Sequence, residues 1–299
     1  MPKLSNPNAD RNAQILYDYI CKVQGNYVLT GQQECPDNRR AEFEMRYLRE
    51  VTGKLPAIRG LDYMGGEFEN VNRRSIEWHK NGGIVSICWH TGINGYAYNE
   101  SKNDVPNFEK LFDESTEEHK NMIANWDLAA NALAELRDAG VPVLWRPFHE
   151  FDGGWFWWGK GSPEDFIKLW RLMYDRYTNM FNLTNLIWVL GYADYVRDGW
   201  YVGDDYCDII GSDTYKFGLH EAAYQKLWID FGRSRKPFTL HECGNLPDIT
   251  DFVRKRTMWS WFLIWHMSSL TGNDVENLKK MYNSEFALTL DKLPKFEWN

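Results

Sequence analysis

The sequence predicts an α/β chain folded as one (β/α)8 TIM barrel spanning residues 1–299, and three observations carry that expectation. Short apolar, β-branched runs recur at regular intervals, helical periodicity fills the stretches between them, and eight such runs can be named. No internal repeat, low-complexity tract or Pro/Ser-rich linker interrupts the series, so one domain accommodates it. A doubly wound open sheet is the structural competitor, and a count of eight strands alternating with helices favours the closed barrel.

The expected strands are Asn26–Glu34, Lys54–Tyr63, Gly83–His90, Val141–Glu150, Leu186–Ala193, Cys207–Tyr215, Pro237–Gly244 and Met258–His266. Helices are expected over Arg39–Val51, Val71–Asn81, Thr116–Ala139, Pro163–Phe181, His220–Arg233 and near Asp274–Tyr282. The fourth of these has the clearest start: Ser162 can cap it, Pro163 suits the first turn, and Glu164 with Asp165 favour the positive end of the helix. Cys88, Cys207 and Cys243 lie inside apolar runs with no CxxC spacing, which reads as buried small hydrophobes.

Composition narrows the partners. A formal net charge of −8 leaves no basic stripe for a phosphate backbone, so nucleic acid is not an expected partner. Neither a signal core nor a membrane-spanning run is present, and the chain reads as a soluble body or a mature form whose signal was removed, with secretion and a monomeric state expected. Aromatic residues make up 16%, with 15 Trp, more than an ordinary core needs, which points to a surface lined with rings.

Barrel chemistry is assembled at the C-terminal ends of strands. Those ends here carry Trp89 and His90, His149 and Glu150, Asp213 and Tyr215, His241 and Glu242, and Trp265 and His266. Strands four and seven lie three places apart in a ring of eight, so Glu150 and Glu242 would face each other across the mouth. Cleavage of a glycosidic bond needs such a pair, one carboxyl to protonate the leaving oxygen and one to meet positive charge at the anomeric carbon. Glu150, beside His149 and ahead of the Trp-rich loop "FDGGWFWWG", would hold a proton through desolvation. Glu242 would stay ionised if Tyr215, Arg59 or Arg146 supplied donors or charge. Pyranose faces stack on indoles, which gives Trp155 and Trp158 a substrate-facing role, whereas Trp157, Trp170 and Trp188 read as packing. Gly153 and Gly154 let the loop turn. The connection after strand three, at roughly 25 residues, exceeds usual βα lengths, and its Tyr96, Tyr98 and Asn99 are expected near sugar outside the cleavage point.

Taken in order, "WRPFHEFDGGWFWWG", "GSDTY" and "FTLHECGN" resemble glycoside hydrolase family 26 along nearly the whole chain. That resemblance implies a retaining endo-β-1,4-mannanase on a (β/α)8 barrel, acting on β-mannan, glucomannan or galactomannan with no cofactor and no metal. It implies Glu150 as acid/base with His149 beside it, Glu242 as nucleophile, and Trp155 and His90 lining the sugar subsite at the cleavage point. Tyr215 would donate to the nucleophile, Asp213 would support it from strand six, and Trp265 would form an aromatic floor. Phe151 and Asp152, directly behind the acid, are read as positions that set substrate preference. Within the same family, mixed-linkage β-glucan, β-1,3-xylan and exo release of mannobiose are the alternative activities. Two further readings of the residues are a metal-dependent hydrolase built on His90, His149 and His266, disfavoured because no zinc-ligand spacing occurs, and a non-catalytic sugar-binding barrel.

Overall fold

A computed structural model describes residues 3–93, 98–216 and 218–298. The chain enters through α1 (Arg11–Val23), then β1 (Val28–Gln33), α2 (Phe43–Thr52), β2 (Ile58–Asp62), α3 (Phe68–Lys80) and β3 (Ile84–Cys88). Two short helices, α4 (Tyr98–Ser101) and α5 (Phe108–Leu111), occupy the long connection to α6 (Glu117–Asp138). There follow β4 (Val143–Arg146), α7 (Pro163–Asp175), which runs on through a π turn at Arg176–Met180, β5 (Leu186–Tyr192), β6 (Ile209–Thr214) and α8 (Leu219–Phe231). The chain ends with β7 (Phe238–Cys243), α9 (Ile249–Lys255), β8 (Trp261–Ile264), α10 (Ser268–Thr271), α11 (Val275–Tyr282) and β9 (Ala287–Leu288).

Strands β1 to β8 pair in parallel in the order of the chain, and β1 closes the ring against both β8 and β2. Each expected run contains one of these strands. β9 adds alongside the first residues of β1, pairing Val28 with Ala287.

Two packed layers fix this ring. Inside it, Leu29, Ile58, Ile84, Leu144, Ile187, Ile209, Trp261 and Leu263 form one cluster. The same cluster includes Leu16, Tyr17, Ile20 and Val23 of α1, so that helix plugs the bottom of the barrel. α1 adds to the expected elements, since it precedes the first strand and belongs to no βα unit. Outside the ring a larger cluster carries Trp126, Trp170, Trp188 and Tyr177 between strands and helices, as the packing role expected for Trp170 and Trp188 requires. Cys88, Cys207 and Cys243 are buried thiols without disulfide partners. Among the described residues, no helix is long and apolar enough to cross a membrane.

β4 is shorter than the apolar run that encodes it, ending at Arg146 rather than Glu150. Pro147 has no N–H to offer the ladder, and Phe148 and Glu150 take left-handed backbone angles, φ 50° and 53°. The chain therefore turns across the barrel mouth, held by the Glu150 N–H donating to the Gly191 carbonyl at 2.7 Å.

The start of α7 is as the sequence predicts. Ser162 Oγ accepts from the Asp165 N–H at 3.1 Å and the Asp165 carboxylate accepts from the Ser162 N–H at 2.9 Å, a closed capping box. Ser162→Ala should lower unfolding free energy by about 1 kcal/mol in urea titrations, with Ser162→Asp restoring most of it.

Candidate active site

Strands β3 to β8 bring His90, His149, Glu150, Trp155, Phe156, Asp194, Tyr215, Glu242 and Trp265 around one cleft of about 360 Å³ at the C-terminal end of the barrel. That volume lies within the usual range of small-molecule sites.

Glu242 owes its aim to an irregularity. Between β6 and β7 the register shifts, so that Gly211 pairs with Thr239 but Asp213 with Glu242. One additional residue on β7 re-aims the strand. Arg146, fully buried, donates to the Glu242 carboxylate, to the His241 carbonyl and to His241 Nδ1. Tyr215 donates its hydroxyl to the other Glu242 oxygen at 2.9 Å. Of the three candidate donors to Glu242, Arg146 and Tyr215 serve it. Arg59 instead lies over Trp78 in the outer layer, paired with Glu34 at 2.7 Å and with Glu42.

Glu150 sits opposite, 9% exposed. One carboxyl oxygen from each of Glu150, Asp213 and Glu242 falls within 4.8 Å of the others. Burial, reinforced by the charge of Glu242, pushes the Glu150 carboxyl from its ordinary 4.5 up to about 7, and the Trp155 indole N–H at 2.7 Å pulls it back part of the way. Asp213 is pushed well up by burial and by both glutamates. Its other neighbour is the His241 ring, 2.6 Å away. Burial and then Arg146 hold His241 far below the ordinary imidazole value, and its Nδ1 faces both the Arg146 guanidinium at 2.7 Å and the Asp213 carboxyl. The ring lies directly over Gly191 and Gly211, where any Cβ would strike it at 2.2 and 2.5 Å. His241 appeared in the sequence only as the neighbour of Glu242, and its role follows from the bulge and from those two glycines.

A second pair of imidazoles forms the opposite wall. His90 Nδ1 lies 2.6 Å from Asp62, which also accepts the His90 backbone N–H at 3.1 Å. Burial works against a charged ring here, but the Asp62 carboxylate outweighs it and holds His90 above its ordinary value. His149, edge-on to His90 at 4.7 Å, is driven well below by burial and by that neighbouring charge, and its Nε2 stands 3.6 Å from Glu242. Asp62 carries no sequence signal beyond ending a strand.

The aromatic loop divides by role. Trp155 is 50% exposed at the cleft, with its ring packed on Gly153, where a Cβ would come within 2.3 Å. Trp158 corrects the expectation that it contacts sugar: it is completely buried, donates to the His149 carbonyl at 2.8 Å and stacks beneath Phe156 at 4.5 Å, and Phe156 is the ring that reaches the cleft. Trp157 packs as expected, donating to the Thr91 carbonyl at 2.9 Å. Phe151 and Asp152 also turn away from the cleft: Phe151 stacks on Phe166 at 4.0 Å, and Asp152 is 1% exposed. The 3-10 turn at Phe151–Gly153, entered through the left-handed Glu150, sends both inward. Tyr98 stands edge-on to His90 at 5.1 Å and Asn99 is exposed, while Tyr96 lies outside the described residues.

The family model for glycosyl hydrolase family 26 matches residues 5–292. The chain belongs to glycosyl hydrolase family 26. A mannan endo-1,4-beta-mannosidase of Thermothelomyces thermophilus is 35% identical over 97% of this family 26 chain, and mannan endo-1,4-beta-mannosidase B of a Piromyces species is 31% identical over all of it. The chain spans 63% and 55% of the length of these two relatives. Among solved structures, the GH26-CBM35 beta-(1,4)-mannanase of Podospora anserina superposes with a TM-score of 0.88 at 33% identity, covering 99% of this chain and 69% of that one. The beta-mannanase from a symbiotic protist of the termite Reticulitermes speratus, complexed with gluco-manno-oligosaccharide, gives 0.89 at 28% identity, covering 98% of both chains.

Because Glu150 binds its proton more tightly folded than unfolded, it contributes stability below about pH 4.5 that is lost as pH rises through about 7. Glu150→Gln stays neutral throughout. Its gain over the wild type should be slight at pH 4.5 and reach about 3 kcal/mol above pH 8, read by urea denaturation at the two pH values.

Proposed function

We propose that this family 26 chain hydrolyses internal β-1,4-mannosidic bonds with retention of configuration, Glu242 acting as nucleophile and Glu150 as acid/base. The observation that carries the reading is the facing pair itself. One oxygen from each carboxyl lies within 4.8 Å of the other, close to the separation of about 5–5.5 Å that suits covalent attack and short of the roughly 6.5–9.5 Å of pairs that activate a water across the sugar. Glu150 is held protonated near neutrality, and Glu242 receives donors from Arg146 and Tyr215.

In this mechanism Glu242 forms a bond to the anomeric carbon as the glycosidic C–O bond breaks, and Glu150 gives its proton to the departing oxygen. The negative charge left on Glu150 is tolerated because the Glu242 charge has gone into an ester. A water then gives its proton to Glu150 and its oxygen to the anomeric carbon, releasing Glu242 as a carboxylate and returning both residues to their starting forms. His90, His149, Phe156 and Trp265 wall the sugar that becomes attached, and Trp155 tunes Glu150 while offering its face. Mannan as the substrate and internal cleavage rest on the endo-mannanase names of the relatives.

A metal-dependent reading has less support, although Asp62, Cys88 and His90 form one group of possible ligands, and Glu150, Asp213 and Glu242 another. In the first, His90 Nδ1 is committed to Asp62, and in the second the Arg146 guanidinium already supplies the positive charge.

Glu242→Ala should lose activity on both mannan and aryl β-mannosides. Glu150→Ala should lower kcat on mannan by about 10²–10⁴-fold but retain far more on aryl β-mannosides with good leaving groups. Full mannan activity in either variant overturns the assignment, as does an α-anomeric first product by NMR. A wild-type rate abolished by chelator and restored by a divalent cation would favour the metal reading.

The alkaline limb of kcat/KM should fall near pH 7, where Glu150 loses its proton. Trp155→Phe removes a donor to the ionised carboxylate, so the limb should move upward, as measured across pH 5–9. An early product pool of long oligosaccharides, rather than mannobiose alone, is expected for internal cleavage.

A further inference from the structure

Asp152 does not touch the cleft, yet it governs a segment that does. Its two oxygens accept the Ala193 N–H at 2.7 Å and the Arg197 N–H at 2.9 Å, closing the turn that follows β5. Within the turn Val196 has φ 47°, a conformation that costs a β-branched residue energy and persists only where the surroundings over-determine the backbone. The residue presented by the turn is Asp194, which lines the cleft with Glu150, Trp155 and Tyr215. Asp194 Oδ1 is sealed from bulk solvent and has no hydrogen-bond partner among the described residues. Its other oxygen lies 3.6 Å from Lys216 Nζ, which sits 5.8 Å above the ring of the largely exposed Tyr195. A buried carboxylate oxygen lacking a donor is costly, and because the side chain lines the cleft, a turn about its last torsion would bring that oxygen to a ligand hydroxyl and remove the cost.

The line from Glu150 on the β4 side to Glu242 on β7 divides the barrel mouth. His90 and Trp265, from β3 and β8, stand on one side, and Asp194 and Tyr215, from β5 and β6, on the other. With the attached sugar against His90 and Trp265, the departing sugar lies toward β5. We infer that the turn at 193–197 is the binding site for the leaving-group sugar, with Asp194 accepting its hydroxyls and Asp152 as the positioning residue that holds the turn in its strained form. This rests on the retaining mannanase reading of the cleft.

The test compares kcat/KM for β-1,4-mannotetraose with kcat/KM for an aryl β-mannobioside, whose leaving group has no hydroxyls to bind. In Asp194→Ala the ratio of the first to the second should fall about 10- to 100-fold, and in Asp194→Asn, which keeps the shape and loses the charge, by several-fold. Asp152→Ala should lower the same ratio, and the double variant should fall no further than Asp194→Ala alone, because both act through one group. A purely structural role for Asp152 would lower Tm and both rates together and leave the ratio where it was. An active wild type whose ratio is unmoved by either Asp194 variant overturns this inference alone, and fully additive losses in the double variant overturn the positioning role. A wild type inactive on both substrates overturns the functional reading and this inference with it.

Discussion

The ion pair between Arg146 and Glu242 is the constraint around which the barrel mouth is organised. Both side chains are buried, where an unpaired charge would cost several kcal/mol, and a single guanidinium reaches the carboxylate, the His241 carbonyl and the His241 ring. That cation is committed to Glu242, and burial dominates at the two carboxyls beside it. Asp213 and Glu150 are both pushed upward, and the charge of Glu242 adds to the burial. One arginine thus sets the surroundings of Glu242 apart from those of its two neighbours.

The imidazoles obey the same logic. Asp62 holds His90 up against its burial, whereas burial first, and then the charges of His90 and Arg146, hold His149 and His241 down. Alternation of this kind spreads charge through the barrel mouth without leaving two like charges in contact.

Support for the mouth comes from the aromatic loop. Trp157 and Trp158 spend their indole N–H groups on the carbonyls of Thr91 and His149, tying the loop after β4 to the end of β3 and to its own strand. Phe151, on Phe166, anchors the same loop to α7. Rings in these positions stiffen a backbone that carries left-handed Phe148 and Glu150, and only Trp155 and Phe156 remain for the cleft. The abundance of tryptophan is therefore mostly architecture.

The eight strands, the cap of α7 and the facing glutamates were legible in the sequence because each depends on local pattern: alternation of apolar runs, a Ser-Pro-Glu-Asp start, and the place of a residue at a strand end. α1 escaped because it belongs to no βα unit and only the closed ring gives it something to plug. Residues whose roles depend on the direction of a side chain were misread or unseen. Trp158, Phe151 and Asp152 lie within a few residues of Glu150, but one left-handed residue and a 3-10 turn rotate them out of the cleft. Asp62 and His241 act through partners 28 and 95 positions away, at distances set by strand register and one bulge. By itself the sequence determined the barrel and which carboxyls face each other. Their separation, their protonation and the identity of the cleft-lining rings were decided by tertiary structure, because all three depend on burial and on contacts between strands that no local spacing encodes.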